Sequence, residues 1–107
     1  MATQPLHDAF DLAGQEAARA NSEDRAKLKA RIDTEDTKWL MSNKRGRRLV
    51  HGLLERAGVW RLSFSTNALQ MAFNEGMRNE GLALLAKLMT HCPETYAQML
   101  KEQKDDE

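Results

Sequence analysis

Residues 43–58 read NKRGRRLVHGLLERAG, and this stretch decides the fold. Asn43, with Ser42 before it, offers a side-chain oxygen that can accept from the unpaired N–H groups of a helix start. Leu49, Val50, Leu53 and Leu54 recur at helical spacing and predict one apolar face on a helix from about Lys44 to Ala57. Gly58 stands where a left-handed residue closes such a helix. Start, stop and buried face are all written into 16 consecutive residues.

Toward the C-terminus, Val59 to Thr66 is β-branched, aromatic and serine-rich, and too short for more than an extended connection. Thr66 or Asn67 then caps the longest helix of this half, about Ala68 to Thr90, with Leu69, Phe73, Met77, Leu84, Leu85 and Leu88 as its stripe. Pro93 ends that helix and suits the first turn of the next, which runs to about Gln103 with Tyr96, Met99 and Leu100 on one face. Toward the N-terminus, Thr34, Asp36 and Thr37 supply caps for a short helix carrying Trp39, Leu40 and Met41. No alternating apolar run pairs with a second across a tight turn, so no strand pair is expected. The fold class is therefore all-α: a small domain of three to four packed helices over residues 34–107.

Residues 1–33 read differently. They are rich in Ala, Glu, Asp, Arg and Lys, which favours helix, but their large apolar side chains are only Leu6, Phe10, Leu12, Leu28 and Ile32. Between Ala13 and Lys27 there is none, so a helix there has little with which to bury a face. This segment reads as a helical or partly disordered arm, with its boundary expected at Asp33 to Asp36.

A chain of 107 residues holds one compact core at most, which excludes enzymes that bind substrate between two lobes. A hydrophobic fraction of 41% makes that core small. No apolar run approaches the roughly 20 residues a membrane helix needs, and no signal peptide is visible. The single cysteine, Cys92, has no internal disulfide partner, which fits a reducing compartment.

The charges balance, 16 basic against 16 acidic, but they are not evenly placed. Residues 1–37 carry a net charge of −3, residues 38–61 carry +6 and residues 62–107 carry −3. Lys44, Arg45, Arg47, Arg48, Trp60 and Arg61 thus form a candidate interaction patch. Two uses are open. Clustered guanidiniums at a helix start can grip the phosphates of DNA. Equally, Arg47 and Arg48 can clamp carboxylates of the long helix such as Glu75 or Glu80, because arginine suits bidentate pairing in either case.

The segment NEGMRNEG, residues 74–81, places two glycines in a helix interior at about 1 kcal/mol each relative to alanine. Gly76 and Gly81 are expected to admit close approach of the helix that carries Leu49 to Leu54. Arg78 can pair with Glu75 three residues earlier. Arg47, Arg48, Glu75, Arg78, Gly76 and Gly81 are accordingly read as a network that holds the fold. Trp39 and Trp60 flank the basic stretch, and both read first as core residues, with stacking on a partner as the other use. Catalysis finds no support: His7, His51 and His91 are scattered, Cys92 lacks an activating neighbour, and no metal-ligand spacing or phosphate-binding glycine loop occurs. No catalytic, metal or cofactor residue is assigned, and the chain is not expected to be an enzyme.

The ordered series WLM at 39–41, GRR at 46–48, LLE at 53–55, AGV at 57–59, SF at 63–64, AFNEG at 72–76, RN at 78–79, Gly81, Pro93 with Tyr96, and a final KE at 101–102 resembles a family of small tailed-bacteriophage proteins. The family is known chiefly from short-tailed phages and prophages. The resemblance covers about residues 36–103 and leaves the arm outside. It implies a virion-associated structural protein encoded among head and head-to-tail genes, present in the virion and, during assembly, in the host cytoplasm. The partners it implies are other phage structural proteins, such as portal or internal virion proteins, with a homo-oligomer or phage DNA also open. It singles out Gly46, Arg47, Arg48, Gly76, Arg78 and Gly81, and brings no catalytic residues with it. Where relatives often carry an acidic residue and proline before GRR, this chain has Asn43 and Lys44.

Overall fold

A computed structural model describes the backbone of residues 4–106 and the side chains of residues 11–106. The side chains of Leu6, His7 and Phe10 lie outside the described residues. Four α-helices follow one another: α1 (Gln4–Leu40), α2 (Lys44–Ala57), α3 (Ala68–His91) and α4 (Pro93–Asp105), with no strand among the described residues. The protein is all-α. Cα packing divides it into two units, Met1–Asp33 and Thr34–Glu107.

Within the first unit the described side chains are almost all exposed, as a stretch without large apolar groups dictates. The expectation of a separate short helix around Trp39 is corrected: α1 is continuous from Gln4 to Leu40. Thr34, Asp36 and Thr37 are competent caps, but no glycine or proline lies between Gly14 and Gly46, so nothing obliges the helix to stop there. A second correction concerns Trp39 itself, which is 71% exposed. Thr37 and Met41, four residues apart, face the core, and a residue midway between them falls on the opposite side of the helix.

The second unit is built around α2, which packs against both α3 and α4, while α3 also packs against α4. Met41, Val50, Leu54, Leu88 and Met99 are completely or almost completely buried, and Val59 and Cys92 close the ends of this core. Each such side chain contributes about 1.5–3 kcal/mol on leaving water. The inward stripe of α2 is Arg47, Val50 and Leu54, while Leu49 and Leu53, expected on the same face, are exposed. On α3 only the second half is packed: Gly81 and Leu88 are buried, whereas Leu69, Phe73 and Met77 are exposed.

The helix ends follow the sequence closely. Asn43 Oδ1 accepts from Gly46 N–H at 2.8 Å and Asn67 Oδ1 accepts from Gln70 N–H at 3.0 Å, so each asparagine satisfies one orphan donor. Gly58 adopts φ 81°, and its N–H returns to the carbonyls of Leu54 and Glu55. Pro93 occupies the first turn of α4.

Candidate functional site

The α1–α2 junction is fixed by three local contacts. Ser42 Oγ donates to the Trp39 carbonyl at 2.6 Å, Asn43 caps α2, and Gly46 lies so close to the end of α1 that a Cβ there would overlap the Leu40 carbonyl oxygen. That oxygen belongs to the backbone and cannot swing aside. The glycine of GRR is therefore required by a close approach, while Gly46 also sits within α2 at the usual helical penalty.

Arg47 is the buried cation of the unit. Its Nη1 donates to the Met41 carbonyl at 2.9 Å, and its Nε and Nη2 both reach Glu102 Oε1, at 2.8 and 2.7 Å. One guanidinium thus joins the end of α1, the first turn of α2 and the last turns of α4. The expected clamp on the long helix is corrected here: the partner of Arg47 is Glu102 on α4, not Glu75 on α3. Glu102 lies one turn after the buried Met99, which carries it toward the core, and that spacing was the sequence signal for it. Its second oxygen, Oε2, is buried and accepts no hydrogen bond among the described residues.

The other members of the basic patch are not held in this way. Lys44 faces Asp106 at 3.8 Å, with both side chains about half exposed, so the pair contributes little. Arg45 and Arg48 are exposed and form no ion pair among the described residues, so Arg48 does not share the fold-holding role expected of it with Arg47. Trp60 is 44% exposed rather than core, and its ring lies 5.1 Å from that of His51 at a tilt of 31°. His51 Nδ1 in turn lies 3.8 Å from Glu55.

On α3 the expected pair of Glu75 with Arg78 is also replaced: Glu75 accepts instead from the Ser63 hydroxyl. Asn74 Nδ2 donates to the Ser63 carbonyl at 3.3 Å, so both side chains pin the connection between α2 and α3 to the second turn of α3. The two glycines of this segment differ. A Cβ at Gly81 would come within 2.6 Å of Ala57 and Val59, so close approach is real and its neighbour is the end of α2. At Gly76 a Cβ would meet nothing within 4 Å, and no packing demand explains that glycine.

Arg78 faces a pocket of about 130 Å³ that opens between the end of α2, the following connection and α3. Arg56 and Arg61 line the same pocket, with Asn74, Leu62 and Met77. Arg61 Nη2 donates to the Glu55 carbonyl at 3.1 Å, which holds its guanidinium over Gly58. Arg56, absent from the expected patch, joins it through position alone: it follows Arg45 by three helical turns and closes α2. Among the described residues, no group of three or more His, Cys, Asp or Glu side chains is placed to hold a metal ion, and no helix is long and apolar enough to cross a membrane.

Residues 34–107 thus form a small all-α unit with a buried inter-helix ion pair and an exposed surface that is both basic and apolar. The model of the Bbp19-like phage protein family matches residues 37–101, and the chain belongs to that family. It is a phage protein, in agreement with the resemblance carried by residues 36–103. No curated protein and no solved structure matches it.

Proposed function

We propose that this protein is a small virion-associated structural protein of a tailed phage that acts by binding another phage structural protein, in the head or at the head-to-tail region, and has no catalytic role. The observation that carries this reading is the surface of residues 62–73. Leu62, Phe64, Leu69 and Phe73 are between 62% and 91% exposed, all within the α2–α3 connection and the first two turns of α3. A unit whose buried core holds only seven hydrophobic side chains leaves four of its largest ones in water along one stretch of chain. Burying each against a partner is worth about 1.5–3 kcal/mol before the costs of association. Such a density of exposed apolar groups marks a contact surface.

The test is mass spectrometry of purified particles, with the protein expected at a fixed stoichiometry in the virion. Its absence from particles overturns the proposal. A second measurement introduces Leu62→Ser and Phe64→Ser, at side chains 91% and 74% exposed. These are expected to lower incorporation while leaving the melting temperature of the isolated protein unchanged. The virion is then its final location and the host cytoplasm its location during assembly.

A second reading rests on a different observation: Arg45, Arg48 and Arg56 are exposed and form no ion pair among the described residues, so DNA binding through α2 has cations to use. Affinity for a duplex should then fall steeply with salt and drop on Arg45→Ala. No gel shift at low salt removes this reading. Engagement of Arg47 with Glu102, and of Lys44 with Asp106, leaves it second.

A further inference from the structure

We infer that the pocket lined by Arg56, Arg61 and Arg78 is a receptor for a carboxylate, supplied by an acidic side chain of the protein partner. The inference rests on the proposed protein-binding role and deepens it by naming the group that is recognised.

Three guanidiniums share one pocket of about 130 Å³, and none of its lining residues is acidic. None of the three forms an ion pair among the described residues. That differs from Arg47, whose charge is met by Glu102 within the chain. Nε of Arg78 is buried and has no hydrogen-bond partner among the described residues. Arg61, by contrast, is oriented through its hydrogen bond to Glu55 O. Like charges gathered without an internal anion repel one another, and an entering anion relieves that repulsion while accepting up to several N–H bonds.

Glu75 accepts from the hydroxyl of Ser63 and does not itself line the pocket. Asn74 is fixed on the Ser63 carbonyl, so its amide is positioned as part of the wall. Leu62 and Met77 complete the lining. A lining that combines three arginines with Leu62 and Met77 matches a group with an anionic head and a methylene stem, as in glutamate. A nucleic-acid phosphate has no such stem, and it would meet the exposed Leu62 among the lining residues. The pocket and the exposed apolar stretch share Leu62, so a single partner segment can fill both.

The probes are sodium acetate, sodium glutarate and inorganic phosphate, titrated into the full-length protein at constant ionic strength. The readout is NMR of the arginine Nε–H resonances and of the Ser63 and Asn74 amides. Saturable shifts confined to Arg56, Arg61, Arg78 and these two amides are expected with acetate. Glutarate, which carries the methylene stem, is expected to bind at least threefold more tightly. Arg56→Gln and Arg61→Gln, both at exposed positions, should each weaken binding several-fold at an unchanged melting temperature.

Shifts that rise linearly without saturation, or spread over all exposed arginines, overturn the inference. So does phosphate binding more tightly than glutarate, which instead favours a nucleic-acid backbone. The outcome is separable from that of the proposed function. Failure of anion binding with the protein present in virions removes the pocket's role alone, whereas saturable carboxylate binding with the protein absent from virions removes the structural role alone.

Discussion

Replacing Arg47 by alanine is expected to destabilise the second unit more than any other single change in the basic patch. The side chains of Arg47 and Glu102 are only 8% and 15% exposed, so this is a buried pair and not a surface one. Truncation leaves the Glu102 carboxylate with neither of its two short contacts, and Oε2 has no partner to begin with. It also removes the donor at 2.9 Å from the Met41 carbonyl, one of the orphan acceptors at the end of α1. Breaking a buried pair by removing one partner costs about 3–5 kcal/mol, because an uncompensated charge stays behind. A unit of this size loses about 4–8 °C of melting temperature per kcal/mol, so the shift should be on the order of 12 °C or more. Thermal and urea unfolding followed by circular dichroism at 222 nm measure it. Arg47→Met with Glu102→Leu serves as the control: removing both charges should recover most of the loss, since apolar replacement of a buried pair is close to neutral. A loss below about 1 kcal/mol for Arg47→Ala would refute the reasoning. A double variant no more stable than Arg47→Ala would show that the penalty is not an unpaired carboxylate.

The same unfolding assay separates the other positions. Arg48→Ala should stay within about 0.5 kcal/mol of the parent, as an exposed side chain without an ion pair does. Gly46→Ala should destabilise strongly, by about 2 kcal/mol or more, because the added methyl meets a backbone oxygen that cannot move away. The two glycines of α3 should respond with opposite signs. Gly76→Ala gains about 0.5–1 kcal/mol from helix propensity in open space, whereas Gly81→Ala must displace Ala57 and Val59 and loses stability. Asn67→Ala should cost about 1 kcal/mol through loss of the α3 cap.

Helix ends were legible in the sequence because their causes are local. Asn43, Gly58, Asn67 and Pro93 each act on backbone groups within a few residues, and all four sit where spacing and chemistry put them. Helix faces were less legible. Leu49 and Leu53 satisfy the apolar spacing of α2 as well as Val50 and Leu54 do, and only the positions of α3 and α4 decide which pair is covered. The start of α3 misleads for the same reason: Leu69 and Phe73 form a proper stripe and yet remain 84% and 62% exposed. Partner choice in the polar network was least legible. Arg47 had acidic candidates on α3 and α4 alike, and local spacing does not say that α4 brings Glu102 beneath it.

The basic patch between residues 38 and 61 is two populations of charge with separate roles. Arg47 is closed inside the unit and holds α1, α2 and α4 together. Arg56 and Arg61, at the far end of α2, meet Arg78 of α3 around a pocket with no acidic lining residue. Between them Leu49 and Leu53 remain uncovered on the outer side of α2, and Leu62, Phe64, Leu69 and Phe73 remain uncovered beyond it. A chain whose formal charge is zero therefore presents a surface that is locally cationic and apolar at once. On the proposed reading, that combination is complementary to an amphipathic protein segment in which acidic residues alternate with large apolar ones, and not to a uniformly anionic polymer.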